Sequence, residues 1–583
     1  MNDMKLLRRV ICLLYVLSSC TQGPVDGPSG PSDESQDGIK SEISFNKATA
    51  TSAEFIVEVQ ASQSVLNECL AVVYYSSAEE FDIDEAELVT ATVKSGKCTI
   101  LIKDLTYDTA YKYQTAVFAG TNEIVGEVKE FVTSDVDVSF DVEQGAVTST
   151  SAKIKGSVAG LANEDKALIE VGLVCEGTLP DGTAFSKTCP IMGIMPDNSF
   201  EVVIDGLNYG TEYSICSYVN FRGMLDRGSQ VENFSTTDGY SSIITDLDVS
   251  AAVDLSAHAT ANSYIVTESG LYKFKTVRGC TLEAVGSTSN VDPVGLMSSC
   301  AVLWETFGTS TSPECCDLIS AVCYKNDYIA FRVASPFKEG NAVVAALDDA
   351  GKILWSWHIW LTDAPMDCTY PENAGVMLDR NLGALSTDHG DPCALGLLYQ
   401  WGRKDPFLNS SEKHADIEAK STIIWPKSVR SDSQTGTIRY AVSNPTVFIG
   451  YALDTKDWQY VQDNTRWGTT KTKYDPCPPG YKVPTGGANG IWKKAGFTTK
   501  SYDSTNRGIS FKIKNPSLTW YPSSGFRYFD DGSVGYVGVD GYYWTVAPSA
   551  LDAFYMYFNY GGYVDPCFSN YRSFGFAVRC QKI

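Results

Sequence analysis

The strongest constraint on the fold of this chain is an internal repeat of about 100 residues. The pattern Leu-x-Tyr-x-Thr-x-Tyr at Leu105–Tyr111 recurs 102 positions later at Leu207–Tyr213, and Phe131 and Phe234 close the two units. Between these marks apolar and polar residues alternate with period two, as in Tyr111–Val117, which is typical of half-buried strands. Repeats of this length built from short strands predict two consecutive antiparallel β-sandwiches. Two generic β-domains with coincidental spacing are the alternative.

The two Tyr-containing stretches also resemble a known structural motif. They are similar to the tyrosine corner of fibronectin type III modules, where a buried tyrosine hydroxyl bonds an upstream backbone group. The resemblance implies that residues 41–135 and 136–238 are fibronectin type III-like sandwiches. Such modules act as spacers or contact surfaces, and nothing in them indicates catalysis.

Several domains are expected, since 583 residues exceed what one hydrophobic core can organise. A third β-sandwich is expected over residues 239–365, because segments such as Ser263–Val266 and Tyr272–Phe274 are strand-like and no long stripe with helical period occurs. Its segment Ile353–Trp360 places apolar residues on both faces, with Trp355 and Trp357 on one of them. That pattern predicts a strand covered on both sides. We interpret His358 as a packed, hydrogen-bonded residue, not as a ligand.

Composition excludes several functional classes. Asp and Glu total 70 against 46 Lys and Arg, so the net charge is −24 and nucleic acid is not an expected partner. The chain contains four histidines, no His-Glu-x-x-His and no Cys-x-x-Cys. We therefore predict no catalytic residues, no metal and no cofactor.

The N-terminal sequence predicts the cellular localisation. Basic residues precede the short apolar run Val10–Leu17, which reads as a signal peptide over residues 1–19. The sequence Leu17–Cys20 resembles the bacterial lipobox, which implies lipidation of Cys20 and anchoring in the outer membrane. Residues 20–40 are polar and predict a flexible tether. We expect exposure at the cell surface; an ordinary cleaved signal with an incidental cysteine is the alternative.

Four ordered motifs mark residues 366–583: Leu378–Ala384, Gly396–Phe407, Cys477–Thr485 and Ser573–Cys580. Together they resemble the Fibrobacter succinogenes major paralogous (FISUMP) domain, common at the C-termini of Bacteroidetes surface lipoproteins. The order of Cys477-Pro-Pro-Gly, Pro484-Thr485 and Trp492 is also similar to that in C-type-lectin-like folds. The resemblance implies an α+β domain, so the predicted fold class is mainly β and multi-domain, with tandem β-sandwiches before it. The calcium-binding triplets of sugar-binding C-type lectins and the catalytic cysteine motif of the formylglycine-generating group are absent.

Two of these motifs allow a local prediction. Asp379–Asn381 lies between apolar residues and indicates a turn, with calcium coordination as the alternative. Gly396–Trp401 predicts a short amphipathic helix with Leu397, Leu398 and Trp401 facing inward.

Aromatic residues are concentrated near the C-terminus. Residues 501–583 contain 11 Tyr, 8 Phe and 2 Trp, about twice the share of the whole chain. Several lie among Gly, Asp, Asn and Ser, where tyrosines form recognition surfaces at low entropic cost. Structural aromatics packed at loop bases are the alternative. The candidate ligand-binding residues are Tyr528, Asp530, Asp531, Asp540, Tyr542, Tyr543, Tyr560 and Tyr563.

The cysteines suggest disulfides in an envelope protein. Cys477 and Cys580 frame the motif-bearing region and are predicted to pair across a loop of about 100 residues. The easiest local pairs are Cys69 with Cys98 and Cys175 with Cys189.

These features predict a lipid-anchored surface binding protein or adhesin whose C-terminal domain contacts a glycan or protein. A structural or tip subunit of a surface fibre, pairing with other pilus or fibre subunits, is a second hypothesis. A carbohydrate-active enzyme is a third, and it needs two carboxylates in a cleft. The candidates for these would be Asp530, Asp531, Asp540, Asp552 and Asp565.

Overall fold

The computed structural model describes residues 39–119, 122–237, 239–279 and 292–583. The predicted signal peptide, Cys20 and almost all of the tether lie outside the described residues. Strands in several sheets make up most of the regular structure, which confirms the predicted mainly β, multi-domain fold class. In the described ranges, no helix has the length and apolar character needed to cross a membrane.

The first sandwich packs a three-stranded sheet, β1-β2-β5, against a five-stranded sheet, β4-β3-β6-β7, in which β8 also pairs with β6. Alternate side chains of the two sheets, such as Phe55 and Val73, enclose its core. Its elements are β1 (Lys40–Ala48), β2 (Ala53–Gln60), α1 (Gln63–Leu66), β3 (Leu70–Ser76), β4 (Glu87–Thr92), β5 (Lys97–Ile102), β6 (Ala110–Ala119), β7 (Asn122–Val125) and β8 (Lys129–Val132).

The second sandwich packs the sheet β13-β10-β9 against the sheet β12-β11-β14-β15. Its core includes Phe140 and Leu173. Its elements are β9 (Asp137–Val147), β10 (Ala152–Ala159), a 3-10 turn (Asp165–Ala167), β11 (Ile169–Thr178), β12 (Ala184–Pro190), β13 (Ser199–Ile204), β14 (Glu212–Phe221) and β15 (Met224–Ser235).

The repeated tyrosines play the same role in both sandwiches. The buried Tyr111 hydroxyl accepts a hydrogen bond from the backbone N–H of Thr106 at 3.0 Å. The buried Tyr213 hydroxyl accepts one from Asn208 at 2.8 Å. The contact to a backbone group five residues upstream is the one that the fibronectin type III resemblance implies.

The third β-domain packs the sheets β16-β18-β21-β20 and β17-β23-β22-β19 face to face. The segment containing His358 is strand β23, covered on both sides as predicted. His358 is buried between Ser263 (Oγ to Nδ1, 3.1 Å) and Asn341 (Oδ1 to Nε2, 2.8 Å), and burial lowers its pKa to about 3. The elements are 3-10 turns Ser241–Ile243 and Val249–Ala251, β16 (Val253–Asp254), β17 (Ser263–Val266), β18 (Gly270–Lys275), β19 (Ser299–Thr306), β20 (Ile319–Lys325), β21 (Tyr328–Val333), β22 (Gly340–Leu347) and β23 (Ile353–Leu361).

The C-terminal region is built around a seven-stranded sheet, β33-β32-β37-β34-β35-β36, with β26 also paired to β37. A second sheet, β24-β25-β38-β29, joins both ends of the region. The elements are β24 (Asp367–Thr369), β25 (Val376–Leu378), a 3-10 turn (Pro392–Ala394), β26 (Leu398–Gln400), β27 (Val429–Arg430), α2 (Ile438–Ser443), β28 (Ile449–Gly450), β29 (Tyr481–Lys482), a 3-10 turn (Gly487–Asn489), α3 (Ile491–Lys494), β30 (Gly508–Lys512), β31 (Leu518–Pro522), β32 (Phe526–Arg527), β33 (Val534–Gly535), β34 (Gly541–Ser549), β35 (Asp552–Phe558), β36 (Val564–Tyr571), β37 (Gly575–Ala577) and β38 (Gln581–Lys582).

The helix predicted over Gly396–Trp401 is wrong. This segment contains β26, whose three residues pair antiparallel with Gly575–Ala577. Gly396 has φ +72°, a left-handed conformation that ends the preceding 3-10 turn and cannot start an α-helix. The apolar residues are buried as expected, but strand pairing with a distant segment decides their backbone geometry.

The third β-domain and the C-terminal region share one hydrophobic core. Trp304 and Trp360 of the former belong to the same buried cluster as Tyr399 and Trp544 of the latter. The Trp360 indole N–H also donates to the carbonyl of Ala384 at 3.0 Å. The C-terminal region therefore packs directly against the domain that precedes it.

Candidate functional site

The two faces of the seven-stranded sheet separate the aromatic residues of the C-terminal region. Tyr542 and Tyr543 are neighbours on β34, so their side chains point to opposite faces. Tyr543 is fully buried in the core with Phe558 and donates its hydroxyl to the Pro522 carbonyl. Tyr543 is therefore a core residue, and its prediction as a ligand contact is wrong.

Tyr542 lies on the other face, and there a continuous group of rings reaches the surface. The Phe526 ring centroid lies 6.1 Å from Tyr528 and 5.3 Å from Tyr542. Tyr542 in turn lies 5.3 Å from Tyr557. We name the outer rings of this group the aromatic surface, defined as Tyr528, Tyr536, Tyr557, Tyr563 and Phe568.

Four of the five outer rings are substantially exposed, although they rest on buried ones, and Tyr557 is half-buried. The exposed fractions are 41% for Tyr528, 53% for Tyr536, 47% for Tyr563 and 44% for Phe568. Tyr542, only 8% exposed, supports them from below and cannot itself offer a face to a ligand. Its prediction as a direct contact is corrected to a supporting role.

A buried carboxylate lies under the aromatic surface. The Oδ2 atom of Asp540 accepts hydrogen bonds from the hydroxyls of Tyr542 at 3.0 Å and Tyr557 at 3.1 Å. Its Oδ1 atom has no hydrogen-bond partner among the described residues, and the side chain is 6% exposed. Burial raises the pKa of Asp540, while the two tyrosine hydroxyls and the backbone of Tyr560 oppose the rise. Asp540 thus orients two rings and holds an unused acceptor close to them.

The turn between β32 and β33 presents Tyr528. The backbone N–H of Tyr528 donates to Ser533 at 2.7 Å, and Asp531 Oδ1 accepts from the N–H and hydroxyl of Ser533. Gly532, with φ +75°, closes the turn. Asp531 therefore has a structural role in the turn, whereas Asp530 is exposed beside Tyr528.

The hairpin between β35 and β36 presents Tyr560 and Tyr563. Asn559 Oδ1 accepts the N–H groups of Gly561 and Tyr563, at 3.0 and 3.2 Å. A Cβ on Gly562 would lie 1.9 Å from the Lys500 carbonyl, so the tight approach of this hairpin requires glycine. The Tyr560 side chain is 69% exposed.

The structure thus brings Tyr528, Asp540 and Tyr563 together around the rings that sequence reasoning missed. Tyr536 and Phe568 each stand singly in the sequence, with no aromatic residue next to them, and Tyr557 lies inside a strand. Their only sequence signal was the high aromatic content of the region. Strand register decides that they meet.

The predicted Asp379–Asn381 turn contains side chains already bound within the protein. Asp379 pairs with Arg380 at 3.0 Å. The Asn381 amide oxygen accepts from Nε and Nη2 of the buried Arg579, at 3.1 and 3.0 Å. These contacts support the interpretation as a turn.

The disulfide predictions divide. Cys477 and Cys580 form a disulfide with a Cα–Cα distance of 5.9 Å, as predicted. Cys69, Cys98, Cys175 and Cys189 are free thiols in the structure, so neither local pair is bonded. Cys189 lies opposite Leu173 in the sheet, two positions from the partner of Cys175, so the two cysteines are diagonal and not directly paired. Cys69 and Cys98 share the core of the first sandwich, where burial raises the pKa of both thiols.

Known proteins show no detectable sequence relationship to this chain and weak similarity in structure. The chain matches no protein-family model, and no curated protein is significantly similar to it. Among solved structures, the FN1–FN3 domains of chicken CNTN1 align over 34% of this chain and 65% of that one, at 12% identity and a TM-score of 0.15. The chicken interferon gamma receptor alpha chain aligns over 34% and 97%, at 8% identity and a TM-score of 0.17. The fibronectin type III-like character of the sandwiches therefore rests on their own strands and tyrosine corners.

Proposed function

We propose that this protein is a lipid-anchored binding protein or adhesin of the bacterial cell surface, and that the aromatic surface recognises a glycan or protein ligand. The observation that carries the proposal is the cluster of four rings, each more than 40% exposed, which are linked through the buried Phe526 and Tyr542 and the half-buried Tyr557. Exposed aromatic side chains clustered on one face of a folded domain are typical of an interaction site.

The support beneath the rings favours recognition over accidental exposure. Phe526, Tyr542 and Asp540 hold the outer rings before any ligand arrives. Pre-organised aromatic side chains lose little conformational entropy on binding, so more of their contact energy appears as affinity.

Alanine substitutions test the aromatic surface. Tyr528→Ala and Tyr563→Ala should each weaken binding to immobilised glycans or whole cells by about 5- to 150-fold if the residue is an anchor. Tyr460→Ala is the matched control, because Tyr460 is 48% exposed and contacts none of these rings. Equal losses in all three variants, or no loss in the first two, would refute the proposed surface.

The anchor is tested separately. Cys20→Ser should remove labelling by palmitate and release the protein from the membrane fraction, because the mature N-terminus would carry no acyl chains. Labelling that persists in this variant would rule out Cys20 as the lipidated residue.

The two fibronectin-like sandwiches fit a spacer role. Asp165 of the second sandwich accepts hydrogen bonds from Thr49 and Thr51 of the first. Tyr107 of the first donates to Asp226 of the second. These contacts favour a stiff arm between the membrane and the binding domain.

A further inference from the structure

Two cations flank a tyrosine next to the aromatic surface. The Arg430 guanidinium carbon lies 5.0 Å from the ring centroid of Tyr451, and Lys456 Nζ lies 4.7 Å from it. Lys456 Nζ also lies 5.8 Å from the ring centroid of Tyr571. We name Arg430, Lys456 and Tyr451 the basic end.

The backbone holds the basic end in place. Strand β27 pairs with β28 so that Arg430 lies opposite Gly450, directly before Tyr451. A Cβ on Gly450 would lie 2.3 Å from the carbonyl oxygen of Asp530, so this strand passes very close to the turn that carries Tyr528. The N–H of Tyr451 completes the junction by donating to Phe529 at 3.0 Å.

The basic end is continuous with the aromatic surface. The Tyr451 and Phe529 ring centroids are 5.1 Å apart, and those of Phe529 and Tyr528 are 4.5 Å apart. A ligand lying over Tyr528 can therefore reach Arg430 and Lys456 without leaving aromatic contact.

Among the described residues, no carboxylate forms an ion pair with Arg430 or Lys456, although the chain carries a net charge of −24. Arg430 is exposed and Lys456 half-exposed, so their N–H donors can be reached from solvent. Cations held over an aromatic ring and lacking an acidic partner suit an external anion.

We propose that the basic end binds the single anionic group, a carboxylate or sulfate, of an acidic glycan whose neutral sugar rings lie along the aromatic surface. This inference rests on the proposed function of that surface. It adds a charge requirement that the aromatic rings alone do not impose.

The charges along the surface favour a glycan over an acidic peptide. Two accessible carboxylates lie beside the outer rings, since Asp530 is exposed next to Tyr528 and Asp565 Oδ2 lies 3.4 Å from the Tyr563 hydroxyl, and both would repel a ligand that is anionic throughout. Neutral sugar rings offer hydroxyl donors to carboxylates and flat apolar faces to tyrosines. A ligand with one anionic terminus and a neutral, hydroxyl-rich remainder therefore matches both the basic end and the aromatic surface.

A matched pair of probes tests the inference on the full chain. The first is an oligosaccharide of neutral hexoses that ends in one hexuronic acid, and the second is its methyl ester, which removes only the charge. We expect the acid to bind the full chain about fivefold or more tightly than the ester, with the difference shrinking in 0.5 M NaCl.

Substitutions assign the preference to the basic end. Arg430→Gln with Lys456→Gln should abolish the preference for the acid over the ester, while Lys456→Arg should retain it. Lys512→Gln is the control, because Lys512 is an exposed lysine that contacts none of these rings. An unchanged melting temperature of the double variant would exclude a merely structural effect.

The outcomes separate the inference from the proposed function. Equal binding of acid and ester, or equal losses in the Lys512 control, would refute anion binding at the basic end without affecting the proposed role of the aromatic surface. Tighter binding of a polyglutamate peptide than of the acid would overturn the glycan class. If neither sugar probe binds and Tyr528→Ala changes no whole-cell binding, both proposals fail.

Discussion

Replacement of Asp165 tests how the two fibronectin-like sandwiches are joined. The carboxylate is buried and accepts five hydrogen bonds. Four come from the turn Thr49–Thr51 of the first sandwich, at 2.6 to 3.2 Å, and one comes from the Ala162 N–H of its own sandwich at 3.0 Å. One side chain therefore supports the junction.

The expected loss of stability follows from the hydrogen-bond donors that Asp165→Asn leaves without an acceptor. The amide carries no charge, and its NH₂ group meets only donors, so several buried N–H and O–H groups lose their acceptor. Each buried donor left without an acceptor costs about 1–3 kcal/mol, so two or more of them give a loss of about 3–5 kcal/mol. With a urea m-value of about 2 kcal/mol/M for a unit of this size, the transition midpoint should fall by about 2 M.

The positions of the tryptophans make the assay selective. All eleven lie between Trp304 and Trp544, outside the first two sandwiches. In urea titrations of the full chain, the variant should shift the far-UV circular dichroism transition of the sandwiches and leave the tryptophan fluorescence transition unchanged. Glu164→Gln is the matched control, because it removes an exposed carboxylate one residue away.

The pH dependence adds a second test. Burial raises the pKa of Asp165, but the hydrogen bonds from Thr51 and Thr49 and from backbone N–H groups outweigh it, so the pKa lies below 3.8. Because the folded state binds the proton more weakly, this stabilisation is present above pH 3.8 and is lost as the pH falls through the folded-state pKa. The Asn variant should lack this acid-dependent loss. A variant as stable as Glu164→Gln, or one that shifts the fluorescence transition equally, would refute the reasoning.

Three further predictions concern other contacts. Replacing both Cys477 and Cys580 with Ala should lower the free energy of unfolding by up to about 4.7 kcal/mol in the fluorescence-detected titration, because the bond closes a loop with a sequence separation of 103; no change would contradict this. Tyr213→Phe removes the acceptor for a backbone N–H and should lower the stability of the second sandwich by about 1 kcal/mol by circular dichroism, whereas an unchanged midpoint would dismiss the tyrosine corner as a stabilising contact. Burial raises the pKa of Glu305 from 4.5 to about 8. Because the folded state then binds the proton more tightly than the unfolded state, the free energy of unfolding should fall as the pH rises from 4.5 to 8. Glu305→Gln should remove this pH dependence in unfolding titrations at about pH 5 and 8, and an identical dependence in the variant would contradict the prediction.

Local pattern was sufficient for the sandwiches. Alternation with period two depends only on neighbouring residues, and the tyrosine corner spans five residues. His358 also behaved as its aromatic neighbours indicated, because a histidine buried among large side chains must find hydrogen-bond partners.

Pairing between distant segments decided the rest. Whether Leu398 belongs to a helix or a strand depends on Phe576 and its neighbours, which lie far along the chain. Tyr542 and Tyr543 have the same sequence environment, yet one supports the aromatic surface and the other is core, because the sheet gives each a different face.

The sequence by itself therefore determined the repeat, the β-class, the Cys477–Cys580 pair and the region in which recognition was to be sought. Only the tertiary structure decided which aromatic rings reach solvent and that Arg430 meets Tyr451. The physical reason is that periodicity and composition act through neighbours in the chain. The exposure of a ring depends on what packs against it, and strand register sets that across large separations in sequence.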